Sequence, residues 1–221
     1  MKLVASIGDC AGDALPLSGS GEACRRHLAK LLLPFGEDEA EALARLLISE
    51  FGSLAAVLAA SPRRRDRLLA SHGEASHHLS AIRGAMLHAL RERALAGAEI
   101  AGTEALARYL RADMGYRPGE QIRILFLAAG NRLLADEVMM EGSIDSAALL
   151  PRPIVHRALD LGASGIILVH NHPGGSPDPS RADLDATRVL VAACRPLEIA
   201  VHDHLIVARG GWTSLRVEGL L

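Results

Sequence analysis

Residues 165–183 read Gly-Ile-Ile-Leu-Val-His-Asn-His-Pro-Gly-Gly-Ser-Pro-Asp-Pro-Ser-Arg-Ala-Asp. Gly165 to Val169 form a short, wholly apolar run, the pattern of a strand buried on both faces. Two histidines at i and i+2 leave its end, and alternate side chains of a strand share a face, so His170 and His172 point the same way. The prolines and glycines that follow force a tight loop, and a helix opens at Ser180 with Asp183 in its first turn. From there Asp183 can swing back toward the imidazoles. Two neutral nitrogens and one carboxylate on three sides of a point suit Zn²⁺. They also leave a fourth position open for water, which a catalytic site keeps and a structural site lacks.

Working outward, residues 121–127 read as a strand, Gly130-Asn131 as a turn and residues 132–139 as its partner. Helical spacing covers residues 153–161 and 180–194, and further strands are expected over 199–207 and 212–217. Together these segments predict a mixed sheet with helices packed against it, an α/β domain. A helix through Leu106, Tyr109 and Leu110 precedes it. Upstream, from Glu22 to about Ala98, apolar residues recur at helical spacing in four to six short helices punctuated by Pro34, Gly36, Gly52 and Pro62. The expected organisation is a loose Gly/Ser-rich leader over residues 1–21, a helical domain over 22–100 and the α/β domain over 102–221.

Composition narrows the possible functions. The 221 residues are 49% hydrophobic and 23% charged, which is globular and not disordered. Aromatics make up only 3%, too few for base-stacking platforms. Net charge is −2, and residues 1–100 hold 12 Lys+Arg against 12 Asp+Glu, so no basic half is hidden. Cys10, Cys24 and Cys194 form no C-x-x-C pair and are odd in number, so reduced thiols are expected. No apolar run approaches the ~20 residues that span a bilayer, and Asp9 breaks the N-terminal apolar stretch too soon for a signal peptide. A soluble cytoplasmic protein with no membrane partner is expected.

Each residue of the central stretch also has a plainer reading. Ser180 and Asp183 have the spacing of a capping box. A single histidine on an apolar strand is usually a packed core residue. Two leaving one strand into a loop of three prolines and two glycines fit that description less well.

The spacing resembles the JAMM motif of MPN-domain metalloproteases: His-x-His, seven residues, Ser, two residues, Asp. Within that superfamily, His-Asn-His-Pro-Gly-Gly-Ser-Pro-Asp-Pro-Ser is similar to the bacterial RadC branch, as are residues 151–154 and 203–207. The resemblance implies an MPN-type mixed sheet behind a small all-helical domain. It further implies one zinc ion per chain on His170, His172 and Asp183, with Ser180 assisting an oxyanion. The family also uses a Glu on the first strand of the domain, hydrogen-bonded to the zinc water. Glu120, Glu137 and Glu141 are the candidates, and Glu120, which begins the first strand, is the expected base.

The implied activity is hydrolysis of a peptide or isopeptide bond in a peptide or protein substrate. The rival is a DNA-associated module, as the family's traditional label of DNA repair suggests, with a structural or inherited zinc site. In the family the helical half carries a helix-hairpin-helix whose Gly-x-Gly turn meets a phosphate. Here residues 69–75 keep one glycine and place Glu74 beside it, a degenerate form. Arg63, Arg64, Arg65 and Arg67 are the only basic cluster and are expected on a solvated helix face, so at most weak, non-specific DNA contact follows. His202-Asp203-His204 repeats His-x-His on a strand, where both rings are expected to share a face, but no third ligand follows. It is read as structural, with Asp203 or His204 available to orient a ligand. His77 and His78 are expected in solvent.

Overall fold

The computed structural model describes residues 20–69, 72–96, 99–100, 102–142 and 151–221. The expected leader lies almost wholly outside the described residues. Five helices come first: α1 (Ser20–Leu32), α2 (Glu37–Phe51), α3 (Leu54–Ala59), α4 (Pro62–Leu69) and α5 (Gly73–Ala94). Their ends have local causes. Pro34 allows only a short 3-10 turn after α1, and Gly52, at φ 79°, takes the left-handed conformation that closes α2. Ser53 then caps α3 by accepting the Ala56 N–H at 3.2 Å. Leu28, Leu32, Leu43, Leu47, Val57, Leu69 and Leu79 form the core of this half.

Two expectations for this region are corrected. Arg65 is not on a solvated face; it is 1% exposed. Its guanidinium donates to the Val57 and Leu58 carbonyls at 3.1 Å each, to the Ser76 carbonyl at 3.3 Å, and to the Ser76 and Ser80 hydroxyls. The Val57 and Leu58 carbonyls lie near the C-terminus of α3, where acceptors lack helical partners, so a buried cation has work there. His78 is likewise not free in solvent: its Nε2 lies 2.9 Å from the Leu31 carbonyl and its ring meets Phe35 edge-on. His77 is exposed as expected.

After two-residue strands β1 (Leu95–Ala96) and β2 (Glu99–Ile100) come α6 (Thr103–Met114), β3 (Glu120–Ala128), β4 (Arg132–Gly142), α7 (Pro151–Leu161), β5 (Gly165–His172), α8 (Arg181–Cys194), β6 (Ala200–Ala208) and β7 (Gly211–Ser214). The sheet order is β1-β2-β4-β3-β5-β6-β7. Only β5 and β6 are parallel, and α8 provides the crossover that parallel neighbours need. The chain is therefore mixed α/β, a helical region followed by a sheet domain. The expected strand over 212–217 ends at Ser214, because the backbone turns there, with the Arg216 N–H given to Asp203 Oδ1 at 3.2 Å. Among the described residues no helix is long and apolar enough to cross a membrane.

The sheet is covered on both sides. Ile122, Ile124 and Phe126 of β3 with Ile166 and Leu168 of β5 pack toward α7 and α8. Leu125, Leu127, Ile167 and Val169 pack the other way, with Leu106 and Leu110 of α6. Burying roughly ten apolar side chains on each face, the larger ones at about 1.5–3 kcal/mol apiece, fixes the phase of β3 and β5. Helix α5 serves both halves, since Leu79 lies in the helical core and Ala94 in the core beneath α6.

Candidate metal centre

The phase of β5 settles which way its last residues face. Ile166 and Leu168 point to α8, so His170 and His172 do too, while Asn171 faces the opposite side. Asp183 reaches the histidines from the first turn of α8. His170 Nε2 lies 3.2 Å from Asp183 Oδ1, His172 Nε2 lies 3.4 Å from Oδ2, and the two Nε2 atoms are 2.7 Å apart. His170, His172 and Asp183 are the one group of His, Cys, Asp or Glu, among the described residues, able to hold a metal ion; their ligand atoms fall within 4.8 Å of one another.

The capping reading holds, and it is compatible with a metal-binding role. Ser180 Oγ accepts the Asp183 N–H at 3.2 Å, and Asp183 Oδ2 accepts the Ser180 N–H at 2.7 Å. This capping box locks the carboxylate on the side of the histidines instead of competing with them. The loop before it is held by the Gly210 N–H donating to the Gly175 carbonyl at 2.9 Å, with Gly175 at φ 94°.

The donor set suits a cation. His172 Nδ1 is 3.0 Å from the Ser176 carbonyl, which can only accept, so Nδ1 carries a proton, and when the ring is neutral its lone pair is on Nε2. That lone pair looks at His170 Nε2, and two such nitrogens at 2.7 Å repel unless a proton or a metal ion stands between them. Ligands of a tetrahedral zinc at about 2.0–2.2 Å stand roughly 3.3–3.5 Å from each other, close to the 3.2 and 3.4 Å between the histidines and Asp183, while the two Nε2 atoms at 2.7 Å would have to part slightly. Electrostatics agree. Burial pushes the Asp183 carboxyl up, but the hydrogen bonds with His170 and His172 outweigh it and hold the group far below the usual carboxylate range. The hydrogen bond with Asp183 in turn lifts His172 above an ordinary imidazole.

The three candidate carboxylates part company. Glu137 is paired with Arg157 of α7 at 2.6 Å, and this hydrogen bond lowers its pKa. Glu141 accepts from Arg117 and from the Gln121 amide. Glu120 shares its face with Ile122, whose register partner is His170, so it lies on the histidine side of the sheet. Its Oε2 is buried without a hydrogen-bond partner, and its charge raises the pKa of His172.

With this geometry in view, comparison with known proteins adds the lineage. The sequence profile described as "RadC-like JAB domain" matches residues 100–220, more than half of the chain. The chain belongs to the RadC family. It is also 38% identical over 208 residues to a protein of Rhodobacter capsulatus named "UPF0758 protein", covering 93% of this chain and 97% of that one.

In this RadC-family chain the second His-x-His separates. A register irregularity between Ile166 and Ile167, opposite Val201 and Asp203, puts His202 at a bulge, and its ring lies over Gly165. His202 and His204 therefore do not share a face, contrary to expectation. The bulge turns His204 onto the metal face, where its Nε2 lies 2.7 Å from His170 Nδ1. Burial, with the nearby His170 charge, lowers the His204 pKa to about 3. Asp203 faces away and accepts from Ser214 and from the His204 and Arg216 N–H groups. Sequence reasoning missed two contributors, Thr187 and Asn171. Asn171 Oδ1 accepts the Gln121 N–H at 2.8 Å and its Nδ2 donates to the Gly119 carbonyl at 3.1 Å, gripping the backbone on either side of Glu120. The signal was the residue between the two histidines, whose parity sends it to the neighbouring strand.

Proposed function

We propose that this RadC-family protein is a zinc-dependent hydrolase of peptide or isopeptide bonds. The observation that carries the reading is the convergence of His170, His172 and Asp183 with the unengaged buried oxygen of Glu120 on the same face. His170 and His172 would hold the ion through Nε2 and Asp183 through a carboxylate oxygen. A zinc ion so held would supply Lewis acidity and lower the pKa of a water to roughly 7.

The rest of the chemistry belongs to side chains. Glu120, whose Oε2 has no other partner, accepts the proton of the attacking water and returns it to the departing nitrogen. Ser180 spends its lone pair on the Asp183 N–H, so its hydroxyl proton remains free to donate to the oxyanion of the addition step. Asn171 holds Glu120 in place through the two flanking peptide groups.

The test has two parts. Purified protein should carry about one zinc per chain, and a His170→Ala, His172→Ala double variant should carry none. A defined peptide library is then incubated with the zinc-loaded protein and with Glu120→Gln, and products are read by mass spectrometry. The expected result is cleavage by the wild type alone, with zinc retained by Glu120→Gln. Equal cleavage by both refutes the role of Glu120, and undiminished zinc in the double variant refutes the ligand set.

A further inference from the structure

Behind His170 runs a chain of hydrogen bonds whose direction can be read without observing a hydrogen. Thr187 Oγ1, on α8, lies 2.6 Å from the backbone carbonyl of Asp183 and 2.6 Å from His204 Nδ1. His204 Nε2 lies 2.7 Å from His170 Nδ1. Thr187, His204 and His170 are all buried, so water does not compete for these groups. The carbonyl has no proton to give, so Thr187 must donate to it. The Thr187 oxygen then faces His204 Nδ1 with lone pairs, and that nitrogen must carry the proton. His204 Nε2 is therefore bare, and His170 Nδ1 must be the donor to it. One proton placement satisfies the contacts behind His170, and it directs the Nε2 lone pair of the neutral ring toward Asp183 and His172, where a metal ion would take it.

We infer that Thr187 and His204 are positioning residues that set the tautomer of His170 for metal binding, an inference that rests on the zinc-site reading above. The relay begins at the peptide carbonyl of one ligand, Asp183, and ends on the imidazole of another. His172 obtains the same tautomer by a shorter route, its Nδ1 facing the Ser176 carbonyl. Both orientations thus trace back to a peptide carbonyl, which can only accept, and helix α8 supplies a ligand and the start of the relay within one turn. Partners of this kind behind a metal-bound histidine typically contribute 10–100-fold in affinity.

The test uses histidine ¹⁵N shifts of metal-free protein at pH 8.5, together with zinc affinity by chelator competition. In the wild type, His170 and His204 should both be protonated on Nδ1. Thr187→Val keeps the side-chain shape and removes the hydroxyl. His204 is then free to place its proton on Nε2 and donate to His170, which turns a proton toward the metal position. The expected result is a growing Nε2–H population at His170 and zinc affinity lower by about 10–100-fold, with Thr187→Ser restoring both. Wild-type His170 protonated on Nε2, or Thr187→Val with unchanged shifts and affinity, overturns the inference. If the wild type takes up no zinc, the zinc reading fails separately, and the ¹⁵N shifts still decide whether the relay exists.

Discussion

Replacing Arg65 by Met should destabilise the helical half without revealing anything about DNA. The guanidinium is the partner of the Val57 and Leu58 carbonyls and shares the Ser76 carbonyl with Ser80 Oγ, and Met fills much of the same volume without a single donor. Each buried acceptor left unsatisfied costs about 1–3 kcal/mol, and some water will reach them, so a total of about 3–5 kcal/mol is expected. Against a usual stability of roughly 5–15 kcal/mol this is a large fraction. At about 2–4 °C per kcal/mol for a chain of this size, Tm should fall by roughly 6–20 °C. Circular dichroism melts of Arg65→Met beside Arg63→Gln and Arg67→Gln, both exposed, provide the assay. The exposed pair should stay within about 2 °C of wild type, as surface changes generally do. An Arg65→Met melt within 3 °C of wild type would refute the reasoning. So would a stable variant that has lost affinity for duplex DNA, since the side chain would then be a phosphate contact after all.

Further outcomes can be stated together. Asp183→Ala removes a ligand and half of the capping box, so zinc should fall well below one per chain by elemental analysis, and the first amides of α8 should exchange faster. Arg123 Nε and Asp136 Oδ1 stand 3.0 Å apart without an aligned hydrogen bond, and burial raises the Asp136 pKa despite Arg123. The folded state therefore disfavours its charge, stability lapses as pH climbs past about 4, and Asp136→Asn should compare better with wild type at pH 7 than at pH 4 in urea titrations. Duplex binding should be weak and fall steeply with salt, because Arg63, Arg64 and Arg67 alone remain of the cluster and Arg64 already pairs with Glu50 at 2.9 Å. Tight binding at physiological salt, measured by fluorescence anisotropy, runs against this.

Much of the sheet domain was legible because its signals are local. The apolar run before His170 marks a buried strand, and strand parity puts both imidazoles on one face. The helical half was read less well. Charge alone groups Arg65 with its neighbours as surface, yet it lies four residues before buried Leu69, on the inward stripe of α4. Composition hid what periodicity held. His204 was out of reach for a different reason: its face depends on the bulge at His202, and a bulge leaves no mark in a run of strand-forming residues. Thr187 pairs with a residue 17 positions away, which no short motif spans.

In β5 the order His170-Asn171-His172 divides three adjacent side chains between two sides of one ribbon: imidazoles toward Asp183, amide toward Gly119 and Gln121. The chemistry of the centre is thus written in the parity of a count. A single residue gained or lost between Gly165 and His172 would barely change hydropathy, yet it would exchange odd for even. The amide would then be presented to the carboxylate and the rings sent into the oily layer under α6. Over its history this stretch should therefore accept exchange of one aliphatic residue for another far more readily than any change in length.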